Sequence, residues 1–452
     1  MKTLFKKSLL KAVIVTVIFA LIHMFYYTEY IRSNVEDIGF DMTNKMMNES
    51  SEQELTTPNV MLFAFDNLYM KKEKLINEDN QTDYGYMFPR DKIAQFITEL
   101  DEVCRHIERE NLPKALFIDY DFSFTSQPYG KRVSKEDEIL LEVLSKERPY
   151  TIFLAKNRTE NFIENSNNKR IQTLIERGKI VFVSVLFLTS NDGSTRRYLS
   201  YKKYKNSRGE KNYLNVNIAL WQYSQKGKID IVSAEKAFKK SDIIANRFLI
   251  KSYKNLYTED ACQIAHSYWR NYVRYSASCS MNGIVEENFS NALIMLGGTF
   301  NENNDRFNIE DGKENLTGIE LHANVLMTLF SLNGEQIQPL NFWISILLIF
   351  LIYLIIDFVV SIFLVSREIR YDKVKVIGFI VKERLDNNTL HFFIVFIVIA
   401  SIMFLLSIYL LLSKHIWFNW FVPSMVYQTY TMILYMKYKI KTTMKLFNGK
   451  KE

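Results

Sequence analysis

The sequence predicts an α/β extracytoplasmic domain, a largely parallel sheet flanked by helices, carried by four transmembrane α-helices, one N-terminal and three C-terminal. Three observations carry this expectation. Apolar residues concentrate at the N-terminus and after residue 341, while the middle reads as a water-soluble protein. Short apolar runs in the middle alternate with amphipathic helical segments, the pattern of a parallel sheet covered on both faces. The formal charge of +7 is unevenly shared. The segments beside the apolar runs hold the positive excess, and residues 28–341 carry slightly more acidic than basic residues.

The first apolar run covers residues 9–27, behind a cytoplasmic N-terminus (1–8) with Lys2, Lys6 and Lys7. Its length approaches the roughly 20 residues that a span needs. It ends in Tyr26, Tyr27, Thr28 and Glu29 without a small-residue cleavage site, which favours an uncleaved signal anchor over a signal peptide. Three further spans are expected at 342–365, 390–412 and 416–436. The 366–389 loop and the 437–452 tail are rich in Lys and Arg, so both are expected in the cytoplasm and the middle region outside. Asp357 falls within the second expected span, where a carboxylate is costly unless paired. It reads either as a polar contact that couples helices or subunits, or as a boundary residue reaching water.

Residues 28–54 form an expected juxtamembrane helix with an apolar seam of Ile31, Val35, Ile38, Met42 and Met46. That seam suits a stalk, a homodimer contact, or packing on its own domain. The extracytoplasmic domain is expected over 55–341. Strands are read at 59–66, 114–124, 151–156, 179–187, 247–253 and 291–300, and helices at 91–108, 134–144, 215–224 and 316–330. Polar groups at the carboxyl ends of parallel strands line binding crevices, which singles out Asp66, Asp119 and Asp121. Arg90 at a helix start and Arg196-Arg197 suit an anionic ligand. Arg90 also suits a structural pairing with Asp66 or Asp119.

Several chemistries are weighed and set aside. Asp119-Tyr120-Asp121 after an apolar strand resembles the start of a haloacid dehalogenase-type phosphatase site, but the further Ser/Thr, Lys and acidic pair are not in place. Asp66, Asp119, Asp121, Asp305 and His322 suit a divalent ion by ligand type, yet nothing in the spacing makes them converge. No metal or cofactor is therefore expected. The middle region has no basic stripe with stacking aromatics, so nucleic acid is not an expected partner. Cys104, Cys262 and Cys279 fit no zinc motif; Cys262 with Cys279 is the readier bridge in an oxidising compartment, and three free thiols are the alternative.

The ordered set of segments resembles the CHASE type 2 family of extracytoplasmic sensor domains in bacterial signalling proteins. The matching pieces are the strand ending in Asp66, the Phe88-Pro89-Arg90 turn, and the strand carrying Asp119. Asp137 before an apolar helix, Asp192-Gly193 with Arg196-Arg197, and Gly297 with Asp305 follow. Gly318-Ile319-Glu320-Leu321-His322-Ala323-Asn324 comes last, before the membrane. The resemblance implies stimulus sensing outside a bacterial inner or cytoplasmic membrane, transmitted inward to a kinase, cyclase or phosphodiesterase; no catalytic domain is identified in this chain, and it is not expected to be an enzyme. Its candidate ligand-binding residues are Asp66, Arg90, Asp119, Asp121, Arg196, Asp305 and His322, facing an unknown extracytoplasmic ligand. The 24-residue loop and short tail leave no room for a fused output domain, so the expected role is an adaptor for a separate cytoplasmic or membrane partner. A structural organiser of an envelope complex is the alternative, and a phosphoester hydrolase the third.

Overall fold

The computed structural model describes residues 2–25, 37–50, 59–77, 88–126, 134–190, 193–206, 209–230, 245–249, 253–257, 263–267, 272–281, 284, 286–300, 305–309, 314–366, 375–376, 379–380 and 387–448. They divide into two compact units, one of Met47–Gln336 and one of Met1–Met46 with Ile337–Glu452.

In chain order the elements begin with α1 (Lys2–Phe25), α2 (Asp37–Ser50), β1 (Val60–Phe65), α3 (Asn67–Lys72), α4 (Arg90–His106), β2 (Ala115–Ile118) and α5 (Lys135–Leu144). Next come β3 (Thr151–Lys156), α6 (Lys169–Glu176), β4 (Ile180–Ser184), β5 (Phe187–Thr189), β6 (Thr195–Leu199), β7 (Tyr201–Asn206) and β8 (Gly209–Leu214). Then follow α7 (Val216–Lys226), β9 (Ala245–Arg247), β10 (Tyr253–Tyr257), β11 (Gln263–Ser267), β12 (Tyr272–Ser276), β13 (Leu293–Gly298), β14 (Arg306–Ile309) and β15 (Glu314–Thr317). The chain closes with α8 (Gly318–Ser331), α9 (Phe342–Ser366), α10 (Asn387–Lys414) and α11 (Phe421–Asn448).

The larger unit is built on an eight-stranded sheet in the order β10-β11-β12-β1-β13-β2-β3-β4. From β12 to β4 every neighbouring pair is parallel, and β11 and β10 add an antiparallel edge. The parallel strands read as continuous apolar runs because both faces are covered: all six residues of β1 are buried, as are all of β2, β3 and β13. One face packs Met61, Phe63 and Phe65 against Ile93, Phe96, Ile97 and Leu100 of α4, with Leu140 of α5 and Ile171 of α6 in the same core. The other face carries α7 and α8.

α8 is apolar nearly all round, and every residue from Gly318 to Phe330 is buried, as expected of a helix enclosed in a core. It approaches β13 so closely that a Cβ at Gly297 would lie 2.7 Å from Cβ of Ile319. The parallel sheet and its helices thus agree with the expectation, and β3 runs over the residues read as 151–156. The 179–187 run is divided between β4 and β5. The β7–β8 hairpin and α6 have no counterpart in the sequence reading.

The membrane expectation needs correction. Among the described residues two helical segments are long and apolar enough to cross a bilayer, Phe342–Ile362 of α9 and Ile394–Lys414 of α10. Both are C-terminal, rather than four with one at the N-terminus. α1 carries Lys11 and His23 inside its apolar run, and α11 interleaves Gln428, several Tyr and Thr, and then Lys437. α1 packs along α9. Phe5 meets Phe358 edge-on at 5.4 Å between ring centres, and His23 stacks on Phe342 at 4.5 Å.

The strongest tie between these two helices is polar. Asp357 is buried, accepts a hydrogen bond from Ser8 Oγ at 2.6 Å and pairs with Lys11 Nζ at 2.8 Å. The costly carboxylate therefore has a cation across the helix interface, which answers the question its position raises. Removing one member of such a pair strands the other, so Asp357→Leu should lower stability sharply. Lys11→Met with Asp357→Leu should recover most of the loss. A double-mutant cycle on unfolding in detergent should return a coupling of roughly 1–3 kcal/mol; additive single effects would show that the pair does not act as a unit.

Candidate functional site at the carboxyl edge

The carboxyl ends of β12, β1, β13 and β2 lie side by side, and the chain leaves them through short polar segments. Asp66 follows β1 directly. Its Oδ1 accepts from Tyr69 N at 2.9 Å, capping α3, and from Ser276 Oγ at 2.8 Å, tying β1 to the end of β12. Both are structural duties of a buried capping carboxylate.

Arg90 opens α4 and is buried. Its Nη2 donates to the carbonyls of Asp121 at 3.0 Å and Phe124 at 3.1 Å, while the guanidinium lies 4.6 Å from the ring centre of Phe122 and 5.1 Å from that of Phe162. Burial lowers its pKa to about 10, against the pull of Asp137, Asp121 and Glu136. Arg90 thus clamps the segment that follows β2 rather than presenting a charge to solvent. Asp121, exposed, accepts from Ser123 N at 2.8 Å and shapes the same segment. Asp137 is buried and holds Ser126 and Ser134 through its carboxylate, closing a capping box at the start of α5.

Asp119 and Asp305 do come together. Asp119 continues β2, its N–H bonded to Leu296 O of β13 at 2.9 Å. Asp305 precedes β14, and its carbonyl accepts from Gly318 N, the first residue of α8, at 3.0 Å. A Cβ at Gly318 would fall 2.1 Å from Asp305 Oδ2, so the glycine is what lets this carboxylate lie over the helix entry. Withdrawal from water raises the Asp119 carboxyl well above the ordinary range, and the nearby charge of Asp305 adds to it. Asp305 is exposed at the surface, and the protein packed against its carboxyl raises it to about 6 by partly withdrawing it from water. Two carboxyls that raise one another's proton affinity suit a cationic, hydrogen-bond-donating group.

Around them stand groups that are not among the expected ligand residues. Phe88 stacks on Phe65 at 4.6 Å and on Tyr120 at 4.8 Å, with Phe300 at 6.4 Å, so an aromatic stack adjoins the edge. Arg274 bridges Glu320 of α8 at 2.8 Å and Thr299 Oγ1 at 2.9 Å. Glu320 Oε2 in turn accepts from Thr317 N and Oγ1, both at 2.9 Å. Phe300 reaches the stack from far along the chain, whereas Arg274, Thr299 and Glu320 are nearer one another in sequence, and strand order brings both groups to one edge.

His322 is a packing residue. It is buried between Phe117 and Phe187, its Nδ1 faces Asn217 Nδ2 at 3.0 Å, and its ring bonds the backbone of Val185. Burial lowers its pKa to about 3, so it is held neutral. Arg196 is buried on β6 in a separate three-stranded sheet with β5 and β9. The seven expected ligand residues therefore do not form one constellation: Asp119 and Asp305 meet, while Asp66, Arg90 and Asp121 build the edge around them. Among the described residues no group of three or more His, Cys, Asp or Glu comes together to hold a metal. Cys104 is a free buried thiol and Cys279 is disulfide-bonded; Cys262 and the Asp192 turn position lie outside the described residues.

A family model for the CHASE2 domain matches residues 14–357, most of the chain. The chain belongs to the CHASE2 domain family. It is thereby a non-catalytic sensor module of the extracytoplasmic type, flanked by apolar helices and associated with a membrane. The match begins within α1, after Lys11, and ends at Asp357 within α9. No curated protein and no solved structure matches the chain.

The carboxylate pair and His322 pull stability in opposite directions with pH. Because Asp305 holds its proton more tightly folded than unfolded, the pair favours the folded state at low pH and loses that contribution as pH rises from about 4 to about 6. His322 contributes most above its unfolded value of 6.5 and loses it as pH falls toward about 3. Asp305→Asn should therefore gain stability over the parent as pH rises from about 4 to about 6, by on the order of 1 kcal/mol after solvent screening. Chemical unfolding across that range checks it, and a constant difference would remove the charge-sharing account.

Proposed function

We propose that this CHASE2 protein senses a stimulus outside a bacterial inner or cytoplasmic membrane, at the carboxyl edge of its sheet, and passes it to a separate cytoplasmic or membrane partner. The observation that carries the reading is the meeting of Asp119 and Asp305 over the entry of α8. The edge of a parallel sheet is where such folds take ligands, and the two raised carboxyls are poised to change protonation or accept a cationic group there. The chain continues from the end of α8 at Ser331 to the start of α9 at Phe342, so the helix that meets the carboxylates is followed directly by an apolar one. The disulfide at Cys279 fits an oxidising compartment. The basic 366–389 loop is the partner contact in this reading. A ligand can bias such a system only by binding one of two arrangements more tightly.

Thermal unfolding of the full-length protein in detergent with Ca²⁺, Mg²⁺ or spermidine tests the edge. The parent should gain several degrees with one of these probes, and Asp119→Asn with Asp305→Asn should not respond. No response to any of the three would count against a cationic ligand at this edge. Photo-crosslinking in cells from Arg370 and Lys373 should capture a protein other than a second copy; a self-product alone would sink the adaptor reading.

A further inference from the structure

α2 is turned the wrong way for a helix in water. Its exposed face carries Ile38, Met42 and Met46, at 39%, 47% and 55% exposure, with Lys45 beside them. Its buried face carries Asp37, Thr43 and Asn44 together with Phe40. Ile38, Met42 and Met46 of the anticipated apolar stripe point outward, and the polar residues point in; Ile31 and Val35 lie outside the described residues. The burial is specific: Trp420 Nε1 donates to Thr43 Oγ1 at 3.2 Å, and Phe40 meets Trp417 edge-on at 5.2 Å between ring centres. A Cβ at Gly39 would lie 2.8 Å from Cβ of Phe421.

The place where α2 is fastened matters as much as its orientation. Residues 417–421 follow directly on the apolar segment Ile394–Lys414. Ile416 and Trp417 pair in parallel with Gln338 and Pro339, immediately before the apolar segment that begins at Phe342. One apolar helix thus ends, and the other begins, at the level where α2 is held. Trp343, at 68% exposure, and Ile344, at 50%, are exposed at the start of α9, so an outward-facing apolar belt already exists at this level. Tryptophan at such a boundary is the mark of the membrane–water interface.

We infer that the Ile38–Met42–Met46 face of α2 lies in the lipid surface, at the boundary of headgroups and acyl chains, with Lys45 reaching the headgroups. An interfacial helix buries one apolar stripe in this way and lets a flanking Lys extend to the polar layer. The lipid surface is preferred over a second copy of the chain because the stripe joins the level at which both apolar helices meet water. The inference does not depend on the ligand reading of the sheet edge.

Spin labels report it. Ile38→Cys, Met42→Cys and Met46→Cys are each labelled in full-length protein carrying Cys104→Ser, reconstituted in phosphatidylethanolamine–phosphatidylglycerol vesicles. Lys203→Cys, on the exposed β7–β8 hairpin, serves as the water-facing reference. Access to dissolved oxygen should exceed access to a water-soluble nickel chelate several-fold at all three stripe positions, with the order reversed at Lys203→Cys. Three outcomes overturn the inference. Nickel access equal to the reference would make the stripe water-facing. Spectral broadening lost on dilution with unlabelled protein would make it a contact between copies. Low access to both reagents without broadening would mean that another part of the chain covers it.

Discussion

β13 takes the centre of the parallel sheet although it is the last of its strands along the chain. It pairs with β1 on one side and β2 on the other, and β1 and β2 are joined through it rather than to each other. Without it the β12–β1 side and the β2–β3–β4 side have no shared ladder. The same strand sets the position of α8 through Gly297, where a methyl group would drive the helix away. α8 then holds the Asp305 carboxylate over its own first residue, Gly318. One late strand thus joins the halves of the sheet, seats the buried helix and completes the carboxyl edge.

That edge shows how capping chemistry and candidate ligand chemistry divide the same residue type. Asp66 and Asp137 accept hydrogen bonds from nearby backbone N–H and hydroxyl donors, and their work is to fix helix starts. Asp119 and Asp305 are pushed toward their protonated forms by withdrawal from water, Asp119 also by the charge of Asp305. The environment separates them, not the residue type. Arg90, the natural suspect for an anion site, spends its guanidinium on two carbonyls and two rings.

Local signals carried much of this architecture. β1, β3 and β13 are bounded apolar runs, and α4 has the periodicity of a one-sided helix, so both can be read from a short window. What the window cannot hold is pairing across the chain. Lys11 lies 346 positions from Asp357, and the buried acid alone does not say which cation answers it. The Phe65–Phe88–Tyr120–Phe300 stack depends on strand order in the same way. The stripe on α2 was legible as a pattern, but a pattern does not say whether water or lipid faces it. The four-span expectation read the runs at 9–27 and 416–436 by average character, whereas two segments among the described residues, in α9 and α10, are long and apolar enough to cross a bilayer.

The position of β13 also sets a clock. At synthesis rates of roughly 5–20 residues per second, about 15–60 s pass between the start of the chain and the emergence of that strand. Throughout that interval the sheet lacks its middle, and the parallel pairings that bury its apolar strands cannot all be made. A domain destined for the far side of a membrane must pass through a narrow conduit before it folds. With the keystone strand so late, closure of the sheet is deferred until most of the domain has been made.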